Sequence, residues 1–170
     1  KEGLAFFWKP DRVTFNDIGC SYYKTTRWRG PIKQIKSLCQ GTLTFSRGDQ
    51  IRVYNTHLDI AAEWSEPQVQ EMLAMISKPN GSLPLVAAGD FNNGLGSPAI
   101  EMIEKAGLTR LAGDWVDYFF VKDIPWATQT KVIDCRTDYI SDHNGLLLTI
   151  SPEEPVKRKK YSISSKPSVY

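Results

Sequence analysis

Pro84-Leu85-Val86-Ala87-Ala88-Gly89-Asp90-Phe91-Asn92 is an apolar run of strand length that ends in a carboxylate and an amide. A short apolar run bounded by turn residues fits a buried strand. Side chains alternate across a strand, so extended structure reaching Asn92 predicts Asp90 and Asn92 on one face. In an open α/β sheet, ligands bind outside the carboxyl ends of strands. The stretch therefore predicts a buried strand that delivers two polar groups to the rim of a crevice. The rest of the chain is read for chemistry that matches them.

Working outward, residues 4–8 and 12–20 are rich in Phe, Val and Ile and predict two strands, with Lys9-Pro10-Asp11 as the turn between them. Residues 38–45 and 51–58 predict a hairpin around Ser46-Arg47-Gly48-Asp49-Gln50. The second of these strands ends in polar residues, as the opening stretch does. A helix is expected next, capped by Ser65 and stopped by Pro79-Asn80-Gly81, with Val69, Met72, Leu73 and Ile76 at helical spacing. Ser97-Pro98 opens a second helix with Ile100 and Ile103 inward, and Gly107 is its stop. Residues 115–121, 127–135 and 145–150 predict three further strands. Strands interleaved with two helices imply an α/β or mixed α+β layering.

The 170 residues suit one domain over residues 1–151, followed by a basic, disordered tail over residues 152–170. The formal net charge of +2 belongs to that tail: residues 157–170 hold five basic groups and no acid, which leaves 16 basic against 19 acidic residues elsewhere. The body is thus mildly acidic, which gives no support to a basic nucleic-acid-binding surface. One local exception is residues 21–36, with Lys24, Arg27, Arg29, Lys33, Lys36 and three aromatic rings but no acid. It reads either as a solvated loop or as a flap whose cations meet phosphate and whose rings stack on a base or sugar. Cys20, Cys39 and Cys135 lie far apart without metal-ligand spacing, and read as free buried thiols in a reducing, intracellular setting. No apolar run approaches the roughly 20 residues of a membrane span. The chain opens at Lys1, directly before a strand-like stretch, and is expected to be a fragment or a processed chain.

Four strand ends carry polar groups: His57, Asp90 with Asn92, Asp117, and Asp142 with His143. Both histidines of the chain fall in this set. Asp and Asn offer hard oxygen ligands, which suit Mg²⁺ or Mn²⁺ rather than a soft metal. A histidine beside a carboxylate can protonate a leaving group or stabilise charge on a transferring phosphoryl group. There is no GxSxG, no Cys next to a His, no P-loop and no GxGxxG. Hydrolysis of a phosphate ester by metal-activated water matches these residue types best.

Asn55-Thr56-His57-Leu58-Asp59, Gly89-Asp90-Phe91-Asn92, Val116-Asp117-Tyr118-Phe119-Phe120-Val121 and Ser141-Asp142-His143 resemble, in order, the motifs of the endonuclease/exonuclease/phosphatase (DNase I-like) superfamily. The resemblance spans residues 2–151. It implies a four-layered α/β sandwich: two mixed β-sheets face to face with helices outside. It further implies that Asp90 orients or deprotonates the attacking water, and that Asn92 holds that water or a phosphate oxygen. His143 paired with Asp117 would stabilise the transition state, His57 would contact phosphate or act as general acid, and Asp142 would bind Mg²⁺ (or Mn²⁺). Arg27, Arg29 and Asn55 are the expected substrate-binding residues, and Asp59 a surface acid or cap. The family's first strand bears an Asn and the next ends in a metal-binding Glu. Neither is present here, so the fold is expected to lack its N-terminal part and the 170 residues to have low activity alone. Implied substrates are phosphodiesters of nucleic acid or phospholipid headgroups. A phosphomonoesterase acting on inositol phosphates, or a non-catalytic binding module on the same scaffold, are the alternatives.

Overall fold

The computed structural model describes residues 3–77, 83–137 and 141–155. In chain order these form β1 (Val13–Tyr22), β2 (Arg27–Arg29), β3 (Ile32–Gln34), β4 (Ser37–Phe45), β5 (Gln50–His57), α1 (Ala62–Ile76), β6 (Leu85–Asp90), α2 (Pro98–Lys105), β7 (Thr109–Asp114), β8 (Asp117–Lys122), β9 (Trp126–Ile133) and β10 (Gly145–Pro155). Six of the strands make one mixed sheet in the order β1-β4-β5-β6-β8-β7. Among the described residues only β5 and β6 run parallel, because α1 carries the chain back between them as a crossover must. β9 and β10 form a two-stranded antiparallel sheet, and β2 and β3 a short hairpin.

The period of two in β6 and β8 sorts their side chains into two cores. Leu85, Ala87, Tyr118 and Phe120 face the helices, where they pack with Val69 and Met72 of α1 and Ala99, Ile100 and Ile103 of α2. Val86 and Val121 face the other way and pack with Ile51 against Leu148 and Ile150 of β10 and Trp126 of β9. The layering is therefore helices, large sheet, small sheet, in line with the sandwich expected from sequence. Among the described residues the small sheet has two strands, both antiparallel, and both helices lie on one face of the large sheet.

Several local expectations are corrected. Residues 4–8 form no strand: among the described residues they find no ladder partner, and Phe6 and Trp8 instead pack edge-on against Phe15. The basic loop contains the β2–β3 hairpin, turning at Gly30 in the left-handed region (φ 59). α1 starts at Ala62, earlier than the Ser65 cap predicts. Ser65 is buried inside the helix and its hydroxyl donates to Asn93 Oδ1. α2 follows its sequence signals, with the Ser97 hydroxyl accepting from the Ile100 amide and Pro98 at its first position. β7 was not anticipated, since Thr-Arg-Leu-Ala-Gly-Asp has neither alternation nor β-branched density; its pairing with β8 at the sheet edge makes it a strand. Residues 156–170, most of the expected tail, lie outside the described residues, as do Glu2 and the helix stop at residues 79–81; β10 itself runs past residue 151.

The cysteines also differ from expectation. Cys20 on β1 and Cys39 on β4 are direct cross-strand partners and form a disulfide, with Cα atoms 4.0 Å apart. Sequence separation carries no information about antiparallel register, so the pairing was hidden. The ground for favouring a reducing compartment goes with it. Cys135 is a free thiol.

Candidate active site

Strand register assembles the site. His57 ends β5 opposite Asp90 of β6, and Asp90 is opposite Asp117 of β8. Three adjacent strands thus present His57, Asp90 and Asp117 as a lateral row on the sheet face turned away from the helices. Gly89 makes the close approach possible. Its φ is 138, and a Cβ there would lie 1.9 Å from the Thr56 carbonyl oxygen. Any other residue would push β6 away from β5 just before Asp90.

Asp90 Oδ2 lies 3.5 Å from His57 Nε2, and Asp90 Oδ1 accepts from the Asn92 amide at 2.8 Å. That second bond is an Asx turn, and Asn92 is left-handed (φ 51). Extended structure therefore stops at Asp90, and the expectation that Asn92 shares its face through strand alternation fails. Between them, Phe91 turns fully into the helix-side core. Asn92 reaches the rim by the turn instead, with its Nδ2 donating to the Leu58 carbonyl.

At the other end of the row, His143 Nδ1 and Asp117 Oδ2 are 2.6 Å apart. The hydrogen bond to Asp117 raises the His143 pKa above the usual histidine value, against the smaller opposing effect of burial. Burial in turn raises the Asp117 carboxyl, and the bond to His143 works the other way. Such a short contact between an imidazole and a carboxylate favours the charged pair.

The basic flank was only partly anticipated. Arg27, Arg29, Gln34, Lys36, His57, Asp59, Ile60 and Asn92 line a polar cavity of about 210 Å³. Lys36 was read only as one cation of a loop, yet it is 6% exposed and its Nζ lies 2.9 Å from His57 Nε2. A lysine ammonium can only donate. If Lys36 donates in this contact, His57 Nε2 accepts, which corresponds to the tautomer with its ring proton on Nδ1. Asp59, expected to be a surface acid or a cap, is 1% exposed: its Oδ1 accepts from Arg27 at 3.3 Å and from the amide of Ala61, the residue just before α1. Asn55 does not join this group. It lines the apolar groove beside β10, and its Nδ2 donates to the Ala5 carbonyl.

Sequence gave no signal for a second flank. Trp115 stands in the β7–β8 turn with its ring centroid 4.9 Å from that of His143. Arg136 lies over the Trp115 ring at 5.4 Å and pairs with Asp114 at 3.6 Å. Asn144, next to His143, donates to the same Asp114 carboxylate.

Asp142 is exposed beside His143. No group of three His, Cys, Asp or Glu residues is arranged to hold a metal among the described residues. Mg²⁺ commonly takes one or two carboxylates and completes its shell with water and substrate phosphate. An exposed carboxylate such as Asp142 fits a substrate-completed site of that kind and not a preformed cage.

No protein-family sequence model matches the chain, and no curated protein sequence does at a significant level. Solved structures do. The human Nocturnin catalytic domain with bound sulfate matches with a TM-score of 0.60 at 16% identity, over 83% of this chain and 61% of that one. An endonuclease/exonuclease/phosphatase from Bacteroides vulgatus matches with a TM-score of 0.66 at 16% identity, over 85% and 69%. TDP2 of D. rerio, complexed with a single-strand DNA product, matches with a TM-score of 0.60 at 16% identity, over 84% and 70%. The chain has the endonuclease/exonuclease/phosphatase fold. It spans less than two thirds of the Nocturnin domain and about 70% of the other two. On this fold, the row from His57 to His143 lies at the carboxyl ends of β5 and β6, the end at which open α/β sheets place ligands.

Proposed function

We propose that this chain is the catalytic part of a phosphoesterase that hydrolyses a phosphodiester, with nucleic acid or a phospholipid headgroup as substrate. The observation that carries the reading is the continuous row His57–Asp90–Asp117–His143 joined to a cationic pocket.

Hydrolysis needs four things of the protein: charge to hold the phosphate, a base for water, a donor to the phosphoryl oxygens and a proton for the leaving oxygen. Arg29 and Lys36 supply charge at the pocket, with Arg27 steadied by Asp59. Asp90 is the base. Its Oδ1 is tied to the Asn92 amide, so the carboxylate is aimed and Oδ2 is left to take a proton from water. His143, kept cationic by Asp117, donates to a phosphoryl oxygen as charge develops there. His57 Nε2 is the acceptor while Lys36 donates to it. Once Lys36 turns onto the substrate phosphate, Nε2 is available to that phosphate or, when protonated, to the leaving oxygen. The expected cofactor is Mg²⁺ or Mn²⁺, which Asp142 would hold together with water and substrate phosphate. Bound there, it would polarise a phosphoryl oxygen.

The test is hydrolysis by the full-length protein with Mg²⁺ on matched probes: a single-stranded oligonucleotide, a phospholipid headgroup diester and an inositol monophosphate. Cleavage of a diester that His143→Ala lowers by about 10²-fold or more is expected. Turnover of the monophosphate alone would make it a phosphomonoesterase. Wild-type inactivity on all three, or turnover indifferent to His143→Ala, would overturn the reading.

A further inference from the structure

Trp115 holds a backbone conformation that is unusual for a tryptophan. Four residues other than glycine have positive φ among the described residues: Asp17, Asn92, Trp115 and Asp123. Asp and Asn tolerate that conformation; a bulky aromatic at φ 57 is an outlier that the surroundings must hold in place. Burial is no compensation, since Trp115 is 60% exposed. What holds it is local. Its carbonyl accepts from the Tyr118 hydroxyl, and β7 and β8 pair through Asp114 and Asp117 on either side of the turn. The result is a large ring displayed to solvent against the imidazole of His143, with the Arg136 guanidinium over it.

We propose that Trp115, backed by Arg136, is a stacking shelf for the nucleobase of a single-stranded substrate. The placement rests on the phosphoesterase reading, which puts the scissile phosphate along the row. From one end the order is Arg29 and Lys36, His57, Asp90, Asp117, His143 and Trp115. A substrate lying along it meets cations at one end and an aromatic face at the other, the alternation of phosphate and base that a nucleotide chain presents. Aromatic rings and guanidinium planes are the two surfaces on which unpaired bases stack.

The experiment compares two probes with the full-length protein: a short single-stranded oligonucleotide and an abasic oligonucleotide of equal length and charge. Both cleavage and binding, the latter by fluorescence anisotropy, are read as the ratio of base-bearing to abasic probe. Wild type is expected to favour the base-bearing probe. Trp115→Leu keeps apolar bulk but lacks the π face, and should cut that preference roughly tenfold; Trp115→Phe should keep most of it. An unchanged ratio in Trp115→Leu, with both probes weakened alike, overturns the proposal and leaves Trp115 as a support for His143. Equal wild-type binding of the two probes overturns it as well. If wild type cleaves neither probe, the phosphoesterase reading fails on these substrates while the binding ratio still decides the shelf.

Discussion

Leu85 and Val86 are consecutive in β6 but belong to different cores. Leu85 joins the helix-side cluster, which closes over Phe91, Phe120, Ile100, Ile103 and Met72 with almost no exposure. Val86 joins a smaller cluster, and it also lines an apolar groove of about 580 Å³ with Phe6, Phe15, Val53, Ala88, Phe119 and Leu146. The polar row lies on the groove side. Stability and chemistry are therefore divided between the two faces of one sheet: the face sealed by helices holds it together, and the face left open by the small sheet displays the reactive groups. The division follows from strand periodicity, which sends Ala87 to one side and Ala88 and Asp90 toward the other.

Two substitutions of opposite character would break this division if it is wrong. Asp90→Ala on the open face should lower kcat/KM by about 10³-fold, some 4 kcal/mol of transition-state stabilisation, with a small change in melting temperature. Phe120→Ala on the sealed face should cost about 3–5 kcal/mol of stability by urea unfolding. Its neighbour Phe119, half-buried at the groove, should cost clearly less when cut to alanine. Equal losses at positions 119 and 120 would show that both faces are packed alike. A large unfolding effect of Asp90→Ala would show that the row is structural.

What the sequence revealed of this division depended on whether information was local. β6 could be read from its apolar run, and α2 from Ser97, Pro98 and its apolar spacing, because strand and helix signals of that kind sit within a few residues. His57, Asp90, Asp117 and His143 were legible as polar ends of strands and as motifs, and the register does bring them together. Lys36, Trp115 and the Cys20–Cys39 pair were not read for what they do. Lys36 meets His57 only because Ser37 pairs with His57 across β4 and β5. Trp115 meets His143 across a separation of 28 residues that no local pattern encodes. Asn92 failed in the other direction: alternation predicted its face, and a single hydrogen bond to Asp90 turned the backbone first.

Lys36 sharpens the comparison at a middle scale, because it is a buried cation at the end of the open face. Lys36→Ala should lower kcat/KM by roughly 10- to 100-fold, the effect of one charged hydrogen bond to phosphate (about 1.5–3 kcal/mol). Lys36→Arg should recover part of it, since charge rather than proton donation is what the pocket needs. A loss confined to stability, without a change in kcat/KM, would move Lys36 to the structural side. Mg²⁺ binding should also separate the faces. Because no group of three ligating side chains is arranged to hold a metal among the described residues, the 170-residue chain is expected to bind Mg²⁺ weakly by calorimetry, and more tightly when a phosphate ester is present. Tight binding without substrate would contradict that.

The smallest expected effect is a displacement along the pH axis. The hydrogen bond from Asp117 raises the His143 pKa, so the imidazolium persists above the ordinary histidine range near ~6.5. A raised folded-state value means that the pair stabilises the fold fully below the unfolded histidine value, and that this contribution is lost as pH rises through the folded one. Activity that needs cationic His143 should fall over the same upper interval. Asp117→Asn keeps the shape of the side chain but removes its charge. It should move the basic limb of kcat/KM to lower pH and lower the His143 titration midpoint seen by NMR. If the basic limb stays in place while the His143 midpoint moves, the proton lost in that limb belongs to another group, and His143 acts in the reaction without needing its charge.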